Sequence, residues 1–222
     1  MPTRIDGPRL PPLSGISRQL VVLLHGYGAD GRDLIDIADE WRGWLPDAAF
    51  ASPHAPEPCG EAPTGRQWFP LSRRDPHELW AGVCGARPAL DDFLDAELAR
   101  CGLDDSRLAL VGFSQGTMMA LHAGLRRPRA PAAIVGYSGM LVGPERLAEE
   151  AACAPPVLLV HGDQDPVIPV QALFASAIGM AKARLPCQWH LSFGLEHSID
   201  QEGLRHGGLF LAQAFTGRTP AA

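Results

Sequence analysis

From residue 107 to residue 215, short apolar runs alternate with segments of helical periodicity, and this alternation narrows the possible folds more than any other feature. Strands are predicted at residues 107–113, 132–137, 156–160 and 187–193. Between and after them, helices are predicted at 115–127, 144–153, 167–185 and through Leu204 to Phe215. Apolar runs without polar alternation are strands buried on both faces, and intervening helices return the chain in the same direction. The prediction is an α/β fold with a mostly parallel central sheet and helices on both faces.

The first half fits the same plan with less regularity. Gln19–Leu24 reads as a buried strand that ends abruptly at His25-Gly26-Tyr27-Gly28. Leu34, Ile37, Ala38, Trp41 and Leu45 then follow helical steps, with Asp30 or Asp33 available as a cap. Ala48–Ala51 is a second short strand. Residues 1–15 hold Pro2, Pro8, Pro11 and Pro12 and are read as a tail or edge segment. Residues 52–82 carry six prolines and the exposed-looking aromatics Trp68, Phe69 and Trp80, and read as a long functional loop. Helical periodicity resumes after Pro88 and ends at Gly102. No linker or composition shift divides the chain, so residues 1–222 are expected to form one domain.

Composition removes several function classes. Apolar residues make up 46% and charged residues 20%, which excludes a disordered chain. A net charge of −6 argues against a nucleic-acid partner. The longest apolar run, residues 20–24, is too short to span a bilayer, and the N-terminal residues lack the apolar core of a secretory signal. Cys59, Cys84, Cys101, Cys153 and Cys187 are odd in number and widely spaced, unlike a disulfide framework or a C-x-x-C metal site. Reduced thiols and a cytoplasmic location are expected. A homodimer is compatible with the sequence.

The chemistry centres on Gly112-Phe113-Ser114-Gln115-Gly116, which fits G-x-S-x-G. In a chain with 24 glycines the pattern alone is weak, but its context discriminates. It follows an apolar strand and opens a helix, as a nucleophile elbow requires. A serine hydroxyl needs a base, and the expected chain order is Ser, acid, His, each beyond a strand's carboxyl end. The turn His161-Gly162-Asp163-Gln164-Asp165-Pro166 offers two carboxylates, and Gly194-Leu195-Glu196-His197-Ser198 offers one imidazole. His190 lies within a strand and His206 within a helix, while His54 and His77 precede the serine; His197 is taken as the base because it occupies the loop that the mechanism needs. Asp165, beside Pro166, is preferred as the acid, with Asp163 closing the turn through backbone N–H groups. On spacing alone both remain candidates.

Attack on an ester carbonyl needs donors already aimed at the developing oxyanion. The backbone N–H groups of Tyr27, in the glycine-rich turn, and Gln115, after the nucleophile, are assigned that role. The side chains of His25 and His161 are read as anchors of their own turns. Gly136-Tyr137-Ser138 also follows a strand, but Met140 stands where a second elbow glycine belongs, so Ser138 is read as structural. Trp68, Phe69 and Leu71 are candidates for lining the acyl pocket, against plain burial of the loop.

With these residues placed, the chain resembles the bacterial carboxylesterase/phospholipase branch of the α/β-hydrolases, relatives of the acyl-protein thioesterases. The likeness runs from about Leu20 to Phe210. It rests on residues 24–31, Trp68-Phe69, residues 112–117, Tyr137-Ser138-Gly139, residues 161–169 and His197-Ser198-Ile199. It implies an α/β-hydrolase fold, a triad of Ser114, Asp165 and His197, no metal or cofactor, and small-molecule ester or thioester substrates. It also favours Asp165 over Asp163. One departure is Glu196, where such sequences commonly place a small glycine before the histidine. The expected function is a serine hydrolase that cleaves carboxylic esters through an acyl-enzyme. A lysophospholipase or acyl-protein thioesterase with the same triad, and a non-catalytic hydrolase-like binding protein, are the alternatives.

Overall fold

A computed structural model describes residues 4–73 and 75–217; the first three residues of the expected N-terminal tail lie outside it. In chain order the first elements are β1 (Arg9–Leu10), β2 (Gln19–Leu24), α1 (Arg32–Ile35), α2 (Ile37–Trp41) and β3 (Ala48–Ala51). They are followed by β4 (Glu57–Pro58), β5 (Arg66–Gln67), α3 (Pro76–Cys101), β6 (Leu108–Phe113) and α4 (Gln115–Gly124). The remainder comprises β7 (Ala133–Tyr137), α5 (Leu147–Glu150), β8 (Val157–Gly162), α6 (Gln171–Lys182), β9 (Cys187–Ser192) and α7 (Gln201–Phe215).

Seven strands form one sheet in the order β1-β3-β2-β6-β7-β8-β9, and only β1 runs antiparallel to its neighbour. Its five inner strands bury both faces. In β2, Leu20, Val22 and Leu24 enter one core while Val21 and Leu23 enter the other. In β6, Leu108 and Leu110 oppose Ala109 and Val111 in the same way. This two-residue alternation between two apolar layers is why the strand sequences lack polar positions. α3, α4 and α6 cover one face, and α1, α2 and α7 cover the other. This is an α/β-hydrolase fold. No described helix is long and apolar enough to cross a membrane.

The strand order reverses beside β2. From β2 the chain moves outward to β3, whereas from β6 it moves the opposite way to β7. Loops leaving two such neighbours diverge and open a crevice at their carboxyl ends. The HGYG turn leaves β2 there and Ser114 leaves β6, so topology alone brings two of the predicted motifs together.

Several element boundaries differ from expectation. The helix expected from Pro88 begins at Pro76, with Asp75 accepting a hydrogen bond from the Glu78 N–H at 2.8 Å and proline in the first turn. Pro88 lies inside this helix on its exposed side, where water can satisfy the carbonyl that proline leaves unpaired. The irregular segment therefore ends at Asp75, and it contains the small β4–β5 ribbon. The single helix expected around residues 34–45 breaks at Asp36, and neither piece has a side-chain cap. The helix expected at 144–153 is one 3₁₀ turn, Pro144–Arg146, followed by the four-residue α5.

Candidate active site

Ser114 stands between β6 and α4 with φ +54° and ψ −115°, a conformation that costs a non-glycine residue on the order of 1–3 kcal/mol. The surrounding packing leaves little choice. A Cβ at Gly112 would collide with the Gly116 carbonyl, and one at Gly116 would collide with the Leu24 carbonyl. The two elbow glycines are thus explained by close backbone approach. Thr117 fastens the turn further, its hydroxyl donating to the carbonyls of Gly112 at 2.8 Å and Tyr137 at 2.9 Å. The Ser114 N–H also donates to Tyr137 O, at 2.9 Å.

Asp165 follows β8 in a turn that fixes its carboxylate. Oδ1 accepts from the N–H groups of Val167 and Ile168 at 2.8 and 2.9 Å. Oδ2 lies 2.7 Å from His197 Nδ1. Asp163 does not close its own turn as expected; it accepts from the Gly194 N–H at 2.6 Å and ties that turn to the loop after β9, while Asp165 itself takes the N–H groups within the turn. His161 Nε2 meets the Ile168 carbonyl at 2.8 Å, which makes it an anchor of the same turn. The His197 ring packs against Phe113 with centroids 4.9 Å apart, directly beside Ser114 in the chain. Glu196 points to solvent. The Ser138 hydroxyl donates to Ser198 O at 3.0 Å, tying the end of β7 to the histidine segment.

The HGYG turn lies against the elbow: a Cβ at Gly26 would sit 3.4 Å from Ser114 Cβ. His25 accepts from the Ala55 N–H through Nε2 at 2.9 Å, so its proton resides on Nδ1 and is donated to Gly26 O at 2.7 Å. Burial holds His25 below the usual histidine pKa and keeps the ring neutral, as this bonding pattern requires. Gly28 has φ +79°, and its N–H donates to Arg66 O on β5 at 2.9 Å. Tyr27 is held within this turn, and Gln115 is the first residue of α4, where a helix leaves its N–H groups unpaired and its dipole positive.

Trp68 and Phe69 are not exposed, as their sequence context suggested. They are 1% and 2% accessible, while Leu71 is half-buried. The Trp68 indole N–H donates to His25 O at 3.0 Å. The buried Gln115 amide accepts from the Trp68 N–H at 2.9 Å and donates to Phe69 O at 2.8 Å. The 55–69 segment is therefore bolted to both turns of the crevice. A groove of about 1090 Å³ follows Trp68, Phe69 and Pro70 along α3, but none of Ser114, Asp165 or His197 lines it. Sequence reasoning missed the Gln115 amide and Arg66, whose guanidinium donates to Ala55 O and Pro56 O at 2.8 and 2.7 Å. Nothing in their spacing marks them, because their partners are backbone atoms from distant segments.

The chain as a whole is similar to known proteins. The chain is similar to the crystal structure of esterase PE8, with 46% identity, a TM-score of 0.92, and coverage of 95% of this chain and 99% of that one. It is 28% identical over 189 residues to esterase YpfH of Escherichia coli (85% of this chain, 80% of the relative). It is also 30% identical over 199 residues to acyl-protein thioesterase 1 of Schizosaccharomyces pombe (82% and 84%). The family model described as phospholipase/carboxylesterase matches residues 14–214, nearly the whole chain. The chain belongs to that phospholipase/carboxylesterase family, and it is a hydrolase that acts on esters.

Proposed function

We propose that the protein is a serine carboxylesterase in which Ser114, Asp165 and His197 form the catalytic triad. The observation that carries this reading is the 2.7 Å contact between Asp165 Oδ2 and His197 Nδ1, made by an imidazole packed on the neighbour of Ser114. Since Nδ1 faces the carboxylate, Nε2 is left as the basic nitrogen for the serine proton. Ser114 attacks the acyl carbonyl while His197 takes its proton, and Asp165 stabilises the imidazolium that forms. The N–H groups of Tyr27 and Gln115 receive the oxyanion, the second with the help of the α4 dipole. His197 protonates the departing alcohol or thiol, and water then repeats the sequence on the acyl-enzyme to release the acid.

For the acyl group, Leu71 is favoured over Trp68 and Phe69, because it is half-buried whereas their side chains are almost wholly buried. A cavity of about 400 Å³ is walled by Leu79, Trp80, Met140, Leu141 and Val142 together with His77, Glu145 and Arg146, and like the larger groove it is lined by none of Ser114, Asp165 and His197. Its size falls in the range of small-ligand sites.

The test is fluorophosphonate labelling combined with a panel of p-nitrophenyl esters and acyl thioesters. Labelling at Ser114 and loss of about 10⁶-fold in kcat for Ser114→Ala are expected. Retention of more than a tenth of the activity in that variant would remove Ser114 as nucleophile. Faster turnover of thioesters than of matched esters would move the reading to an acyl-protein thioesterase.

A further inference from the structure

Behind the histidine segment lies a cluster that the proposed reaction does not use. His190 on β9 and Glu202 and His206 on α7 each present one donor atom, and these atoms all lie within 4.8 Å of one another. The two imidazoles face each other with centroids 4.4 Å apart and planes inclined by 37°. His206 Nε2 is 3.7 Å from Glu202 Oε1. His190 Nε2 is shielded from solvent and forms no hydrogen bond. A buried ring nitrogen without a partner is uncommon in native proteins and calls for an occupant.

We infer that His190, Glu202 and His206 form a binding site for one divalent transition-metal ion of the zinc class. Two imidazoles and a carboxylate are a borderline ligand set that suits Zn²⁺ and Co²⁺. Four-coordinate zinc with bonds of about 2.0 Å holds its donors roughly 3.3 Å apart, so binding draws these three atoms inward by about an ångström. Glu202 is exposed and His206 half-buried, so both side chains have room for that shift. Water would complete the coordination. Strand alternation supplies the geometry on β9, where Trp189 meets Phe174 of α6 while the next residue, His190, turns to α7. On α7 the four-residue spacing puts Glu202 and His206 on one face.

The position gives the site a consequence. Residues 193–200, which include His197, connect the end of β9 to the start of α7. An ion shared by His190 and the α7 pair ties together the two elements that flank this segment. Ser192 and Asp200 already join its ends through a 3.1 Å hydrogen bond. The ion would add a second clasp one turn further from the site, stabilising the segment without entering the chemistry.

The experiment uses the full-length, tag-free protein stripped with chelator. Titration with CoCl₂ is expected to give the visible bands of four-coordinate cobalt at one equivalent, and ZnCl₂ is expected to displace it. A hundredfold excess of zinc over its Kd should raise Tm by roughly 5 °C. His206→Ala and Glu202→Gln, both at positions with solvent access, should fold, keep esterase activity and weaken cobalt at least tenfold. Absence of cobalt bands in the wild type, or an unchanged affinity in both variants, would overturn the assignment. Loss of binding in His197→Ala with retention in His206→Ala would also overturn it, by moving the ion to the active site.

Discussion

Ser114 sits in the middle of the sheet, where β2, β6, β7 and α4 press backbone against backbone, whereas His197 hangs from the last strand, β9, on a segment with one free side. At the centre, restraint comes from contact. The elbow glycines admit no further atom, and Ser114 is 8% exposed in a strained conformation that its surroundings impose. At the edge, restraint comes from hydrogen bonds. Asp165 holds the imidazole, Ser138 holds Ser198 O and Asp163 holds the Gly194 N–H, while the His197 side chain keeps 18% of its surface. Packing fails steeply, since an added carbon must push backbone or side chains out of place. A hydrogen-bonded segment loses its restraints one at a time.

The comparison can be broken most directly by chemistry. If both halves serve one reaction, His197→Ala should cost about as much as Ser114→Ala, on the order of 10⁶ in kcat. A much smaller loss in steady-state hydrolysis would separate the edge from the centre. Asp165→Asn should cost roughly 10⁴ in kcat with the fold intact, because the amide favours the wrong imidazole tautomer. Wild-type kcat in that variant would place the acid elsewhere. Gly116→Ala tests the packed side, since its methyl overlaps the Leu24 carbonyl. A stability loss of about 4 kcal/mol or more in urea unfolding is expected, and a loss under about 1 kcal/mol would show that the centre yields more easily than described.

Acid should destabilise the centre through two buried histidines. His25 and His122 both lie there, and burial depresses both, His122 to about 3 with help from the charges of Arg126 and Arg87. The native state resists these protons while the unfolded chain accepts them near pH 6.5, so their contribution is complete above that pH. It declines as pH falls toward the folded values. At pH 5 His122 alone should account for a loss of about 2 kcal/mol, and His122→Phe should flatten the measured slope. The smallest effect is expected at the edge. Ser138→Ala removes one hydrogen bond to Ser198 O, should cost about 1 kcal/mol, and should leave kcat within a few-fold.

The same contrast explains what the sequence could reveal. Strands β2, β3, β6, β7 and β8 were legible because continuous apolar runs can only be buried on both faces, and β9 through its place in the alternation of strands and helices. The site was legible in its order, since each candidate follows a strand end and the fold reverses beside β2. α3 was misjudged because Pro88 is a stronger local signal than the Asp75-Pro76 cap, and only its exposed setting makes it harmless. Trp68 looked solvent-facing because its neighbours are prolines and charges, yet its indole is held by a carbonyl 43 residues away. The His190, Glu202 and His206 cluster spans strand and helix, and only the four-residue step between its last two members is visible in one dimension.

Gln115 contributes two things at once: a backbone donor at the head of α4 and an amide that grips residues 68 and 69. A mutational scan would therefore score it as intolerant although its side chain need never meet a substrate. Chimeras that import the 55–70 segment from another esterase inherit the same dependency. The graft can only dock where the host supplies an amide at position 115 and the guest leaves its backbone free at the two positions it grips.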